Sequence, residues 1–170
     1  MTMILGIDPG PENSYWLKWD TENQKIIDKG ISLNTKFTLW SGVDVVVIED
    51  IQCFGMPVGK SIFETAKAIG RFLERAENDS YSLLISTVQV TRREIKLHFC
   101  NSVRAKDSNI RQAILDRFGG KEKAIGKKSC PGILYGVKSD FWSALALCLW
   151  YGNSHNLELG PGTDGRGGLG

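Results

Sequence analysis

Apolar positions near the N-terminus recur at strand spacing. Met1 to Ile7 reads as a buried strand that ends in the turn Asp8-Pro9-Gly10-Pro11. Ser14 to Trp19 and Lys25 to Ile31 read as two further strands, with Asp20 to Asn23 as the hairpin turn between them. Thr35 to Trp40 is expected to form a short helix. The β-branched run from Val43 to Ile48 fits a central strand buried on both faces, with Glu49 standing at its end. Cys53 to Gly59 contains Gly55, Pro57 and Gly59 and reads as a loop.

The period then changes. From Val58 to Ala76 the residues Ile62, Phe63, Ala66, Ile69, Gly70 and Leu73 recur at helical steps. Tyr81 to Val88 is another expected strand. Thr91 is placed to cap a short helix through Phe99, and Ser108 to cap a second one with Ile110, Ile114 and Phe118 on one side. Gly119 to Gly132 is expected as a lysine- and glycine-rich loop, and Ser139 to Tyr151 as the last helix. Residues 153–170, ending in a glycine-rich run, are expected to be a flexible tail to a single domain over 1–152. Hairpin-forming strands followed by strand, helix, strand and helices predict an α/β fold: a five-stranded mixed sheet flanked by helices.

Composition narrows the class. A chain of 170 residues, 42% hydrophobic, suits one compact domain that needs no disulfide staples. Cys53, Cys100, Cys130 and Cys148 include no CxxC pair, which argues against zinc and for reduced thiols. No secretory signal is read at the N-terminus, and the apolar run Phe141 to Tyr151 is too short to span a bilayer, so a cytoplasmic location is expected. The net charge of +2 does not announce nucleic-acid binding. Its distribution says more, because the second half is rich in Lys and Arg, and a local basic surface can hold phosphates.

The chemistry resides in carboxylates at element ends. Asp8 follows one strongly apolar strand, Glu49 ends another, and Asp140 opens the last helix. If the two strands are neighbours, Asp8 and Glu49 project from one sheet edge and Asp140 can close the cluster. Such a cluster is tolerable only with a counter-ion, since one of several close carboxylates otherwise takes up a proton. Hard oxygen donors favour Mg²⁺, or Mn²⁺ as a substitute, and two such ions can drive phosphodiester hydrolysis. Each residue also has a plainer reading: Asp8 as a turn residue, Asp140 as a helix N-terminal charge. Only the combination points to chemistry. Asp50, adjacent to Glu49, is expected on the opposite face of the strand.

Several stretches resemble one family. Ile4-Leu5-Gly6-Ile7-Asp8-Pro9-Gly10 is similar to the opening motif of RuvC-type Holliday junction resolvases, and Val46-Val47-Ile48-Glu49 to their second acidic strand. Phe54 to Lys60, Ile69 to Phe72, Lys106 to Ala113 and Pro131 to Ser139, leading into Trp142 to Ala146, resemble the bacteriophage branch of that family. The resemblance runs from Met1 to about Gly152. It implies an RNase H-like fold and a Mg²⁺-dependent endodeoxyribonuclease. A homodimer would nick two opposed strands of a four-way junction or other branched DNA, leaving 5′-phosphate and 3′-hydroxyl ends. For a phage-encoded protein, the compartment would be the host cytoplasm.

Carried over by position, Asp8, Glu49 and Asp140 match the metal ligands. Lys106 lies near a lysine that assists at the scissile phosphate. Cellular members carry a further acid three residues after the Asp140 position, where this chain has Ser143; residues three apart share a helix face. Ser143 is thus expected beside the metals as a weaker, neutral group. Asp107 is a possible substitute, though its place before a helix suits a cap. Lys60, Arg111, Lys127, Lys128 and Lys138 are expected to contact DNA phosphates. Phe54 is placed to stack on an unpaired base, with core packing as its competing role. The apolar stripe of the Val58–Ala76 helix is placed to serve either a two-fold interface or the sheet. Two other functions remain open: an RNase H-like nuclease acting on other structured or single-stranded nucleic acid, and a catalytically weakened junction-binding protein.

Overall fold

A computed structural model describes residues 1–38, 41–78 and 85–157. One five-stranded sheet forms from β1 (Met3–Asp8), β2 (Asn13–Asp20), β3 (Lys25–Leu33), β4 (Val45–Asp50) and β5 (Ser86–Thr91), in the order β3-β2-β1-β4-β5. The first three strands run antiparallel, whereas β4 and β5 run parallel to β1. Helix α1 (Lys60–Asn78) covers one face, and α5 (Phe141–Ser154) covers the other. Helices α2 (Arg92–Cys100) and α3 (Asp107–Arg117) pack outside α5. The expected mixed sheet with flanking helices is therefore observed.

Strand alternation divides the core into two layers. On β1, Ile4 packs with α5 and Leu5 and Ile7 pack with α1; on β4, Val45 and Val47 face α5 while Val46 and Ile48 face α1. Each such fully buried aliphatic side chain contributes about 1.5–3 kcal/mol. Helix α5 is buried nearly all round, which explains the apolar run from Phe141, broken only by Ser143 before Tyr151. It lies close on β1 because Gly6 has no side chain: a Cβ there would stand 2.2 Å from the Ala144 carbonyl oxygen.

Several expectations are corrected. Residues 35–38 form a turn and a bend followed by irregular chain instead of a helix, while Leu39 and Trp40 lie outside the described residues. Arg75 on α1 donates to the carbonyls of Phe37 at 2.7 Å and of Asn34 and Thr35 at 3.4 Å, groups a helix would have engaged itself. Phe37 is fully buried between Trp16 and Phe72. The buried stripe of α1 is Thr65, Ala68, Ile69, Phe72 and Ala76, so the expected stripe was rotated; Phe63 is 57% exposed.

The expected strand Tyr81–Val88 is observed from Ser86 and continues to Thr91; residues 81–84, like the tail from residue 158, lie outside the described residues. Gly119–Gly132 is structured, comprising α4 (Lys121–Ile125) and a small hairpin of β6 (Gly126–Lys127) and β7 (Cys130–Pro131). Gly132 makes this possible, since a Cβ there would meet the Lys123 and Ala124 carbonyl oxygens at 2.3 Å. Ser108 does not cap α3. The helix begins one residue earlier, and the Asn109 carboxamide accepts the Lys106 N–H at 2.8 Å.

A candidate acidic active site at the sheet edge

The site follows from register. Ile7 pairs with Ile48 across the parallel β1–β4 ladder, so Asp8 and Glu49 are the next residues on adjacent strands. Alternation turns both toward the α5 layer, and Asp50 toward the other. Glu49 stands within β4, opposite Val90, one residue before the strand ends. The close seating of α5 on Gly6 brings the first turn of that helix to the same edge, where Ser143 favours the ionised form of Asp8. Asp140 is the N-cap of α5, exposed to solvent but near enough for its charge to act on Asp8.

Electrostatics mark this edge. Burial, with the charges of Glu49 and Asp140 added, pushes the Asp8 carboxyl up to about 7. Burial also raises Glu49, with Arg92 working in the opposite direction. Among the described residues, no three His, Cys, Asp or Glu side chains converge closely enough to hold an ion as they stand. The expected three-carboxylate cluster is not closed among the described residues: Asp8 and Glu49 stand on adjacent strands, and Asp140 is exposed at the N-cap of α5. The donors are all hard oxygens, and Asp8 is half-buried beside two other carboxylates that disfavour its charge. That chemistry suits a divalent cation of the Mg²⁺ type, for which Asp8 and Glu49 are the donors in place.

Arg92 was not assigned a role from the sequence. Its Nη1 donates to Glu49 Oε2 at 3.3 Å and to Ser143 Oγ at 3.4 Å, and its Nη2 donates to Asp107 Oδ1. Burial disfavours the charged guanidinium, but Glu49 and Asp107 outweigh it and hold its pKa above the ordinary value. Asp107 is accordingly a partner of Arg92, not the cap of α3. The legible signal was the strand-to-helix junction at Thr91. Thr91 caps α2 through a reciprocal pair with Glu94, as expected, and pairs with Asp50 on β4, which brings the next residue to Glu49.

An open cleft of about 640 Å³ is lined by Asp8 and Glu49 together with Phe54, Arg93 and Lys96. Phe54 is 73% exposed there, which removes core packing as its role. Lys60 is exposed at the start of α1, Lys106 at the N-cap of α3, and Lys138 just before Asp140. Arg111 lies over the Trp142 ring at 4.9 Å. Lys127 and Lys128 are exposed on the β6–β7 hairpin, not on an open loop. Lys60, Lys106, Arg111, Lys127, Lys128 and Lys138 do not line the cleft.

Comparison with protein-family models and with curated protein sequences finds no match. Comparison with solved structures does. The chain aligns with RuvC of Thermus thermophilus at a TM-score of 0.63 and 12% identity, covering 92% of this chain and 96% of that one. Thermus thermophilus RuvC in complex with a Holliday junction substrate gives 0.62 and 11%, with the same coverage. At these identities the likeness is one of fold. The chain shares a fold, a five-stranded mixed sheet flanked by helices, with these structures, and carries acidic residues on its two central strands. More particularly, the likeness to RuvC extends over 92% of this chain.

Proposed function

We propose that this chain is a Mg²⁺-dependent endonuclease that cuts branched DNA, a four-way junction above all, by paired nicking. One observation carries the reading: two half-buried carboxylates from adjacent parallel strands face a cleft with basic and aromatic walls, on a RuvC-type fold. The RuvC of Thermus thermophilus is described with a Holliday junction as its substrate, which favours the same class of DNA here.

Asp8 and Glu49 hold the cation, and Asp140 adds negative charge at the mouth of the site. The bound ion supplies Lewis-acid activation of a water and neutralises charge on the scissile phosphate. Ser143 orients Asp8 through its hydroxyl. Arg93 and Lys96 draw the phosphate backbone along the cleft, and Lys106, Lys60, Arg111, Lys127, Lys128 and Lys138 extend the basic contact to the arms. Phe54 stacks on a base at the branch point. A homodimer matches two such sites to two strands related by the two-fold symmetry of a junction. Hydrolysis leaves 5′-phosphate and 3′-hydroxyl ends.

The test is cleavage of a mobile four-way junction, a flap, a linear duplex and an RNA–DNA hybrid by the purified chain, with and without Mg²⁺. Paired nicks confined to branched DNA and dependent on the ion are expected. Tight junction binding with no product under Mg²⁺ or Mn²⁺ would overturn catalysis in favour of a binding protein, and preferential cutting of the hybrid would overturn the substrate.

A further inference from the structure

The second half of the acidic site is already occupied by positive charge from the chain itself. Arg92 is the first residue of α2, and the Thr91–Glu94 capping pair fixes its backbone. Its guanidinium reaches across the edge of the sheet and bridges Glu49, Ser143 and Asp107. Ser143 in turn stands beside Asp8 and favours its ionised form. The guanidinium of Arg92 therefore joins Glu49 to Ser143, the neighbour of Asp8. A hydroxyl can both give a hydrogen bond to a carboxylate and accept one from a guanidinium, whereas a carboxylate at the same helix position would only accept.

Resting on the metal-dependent reading above, we infer that the site takes one divalent ion, which Asp8 and Glu49 would hold, and that Arg92 stands in for a second. The charge balance agrees. Four carboxylates are gathered at this edge: Asp8, Glu49, Asp140 and Asp107. With Asp50, Arg93 and Lys96 of the cleft walls counted in, one divalent ion and Arg92 bring the sum to zero before a phosphate arrives. Two divalent ions with Arg92 would supply five, and cations a few Å apart in a partly desolvated cleft repel strongly. A guanidinium is also suited to the role. It keeps its charge at every accessible pH, and it presents N–H groups in a fork that matches two oxygens of a phosphate. Arg92 thereby becomes a positioning residue that ties Glu49 in place. Asp107 holds the far side of the guanidinium.

The experiment counts ions on the whole chain. Mn²⁺ is titrated into the native protein, Arg92→Met and Arg92→Lys, and bound ion is read from the electron paramagnetic resonance of the free ion, with circular dichroism checking that each variant is folded. The native chain and Arg92→Lys are expected to bind one ion each. Arg92→Met, which keeps the length and removes the charge, is expected to bind two, the second at least tenfold more weakly. Two ions on the native chain would overturn the inference while leaving the nuclease reading intact. A single ion on Arg92→Met would do the same, because the guanidinium would then not be what excludes the second. No ion on any of the three would instead overturn the metal-dependent reading on which the inference stands. The native and Arg92→Lys counts keep the test decisive even if Arg92→Met does not fold.

Discussion

The Ala144 carbonyl oxygen of α5 lies 2.2 Å from where a Cβ would stand on Gly6 of β1, and Cys148 Sγ lies 2.8 Å from the same point. A single hydrogen at this strand position therefore sets how closely the last helix sits on the sheet, and so where Ser143 and Asp140 stand relative to Asp8. Gly6→Ala is expected to push α5 outward, cost about 1–3 kcal/mol by overpacking, and lower cleavage more than junction binding. Thermal melting and a paired cleavage and binding assay check this.

Asp8→Asn and Glu49→Gln remove the donors but leave the basic surface. Each is expected to lower junction cleavage by at least about a hundredfold, given that even outer partners of metal ligands are worth 10–100-fold. The junction Kd is expected to stay within about threefold of native, because phosphate contacts carry most of the affinity. Gel-shift and single-turnover assays on the same preparations separate the two effects.

The pH dependence of stability has a definite sign. The Asp8 carboxyl moves from its ordinary 3.8 to about 7 on folding. The folded chain then binds a proton that the unfolded chain has released, so stability contributed here is fully present below pH 3.8 and is lost as pH rises through 7. At about 1.4 kcal/mol per unit, the ceiling is roughly 4 kcal/mol. Metal-free Asp8→Asn is expected to melt several degrees above the native chain at pH 8 and to converge with it near pH 4. Mg²⁺ at pH 8 is expected to raise the Tm of the native chain and not that of the variant. A native Tm that does not fall between pH 5 and 8 would contradict the placement of Asp8.

Phe54 is 73% exposed at the cleft wall, so its removal should spare the fold. Phe54→Ala is expected to leave the Tm within about 1 °C, since surface changes are usually worth under 0.5 kcal/mol. Junction affinity should fall by about 1–3 kcal/mol, the value of one stacked base. Fluorescence anisotropy with a labelled junction provides the readout.

Much of the scaffold was legible because strand alternation is a strong local signal. The apolar runs ending at Asp8 and Glu49 identified β1 and β4, and the sheet puts those strands side by side. Thr91, a residue suited to an N-cap, identified the start of α2, and the structure adds its reciprocal pair with Glu94. What escaped were features set by distant contacts. The rotation of the α1 stripe depends on Phe37 reaching under Phe72 and on Arg75 taking three carbonyls from residues near 35. Period alone could not reveal that. Arg92 escaped for a similar reason: its partners are 15, 43 and 51 residues away, and only the sheet register aligns them. The hairpin of β6 and β7 depends on glycines accepting close backbone neighbours, which in a sequence look like an open loop.

The most direct measurement is anomalous diffraction from a crystal of the chain grown with Mn²⁺. The expected result is a peak within about 2.5 Å of a carboxylate oxygen of both Asp8 and Glu49, as hard-cation coordination requires. Manganese density elsewhere on the chain, with none between these two side chains, would contradict the account.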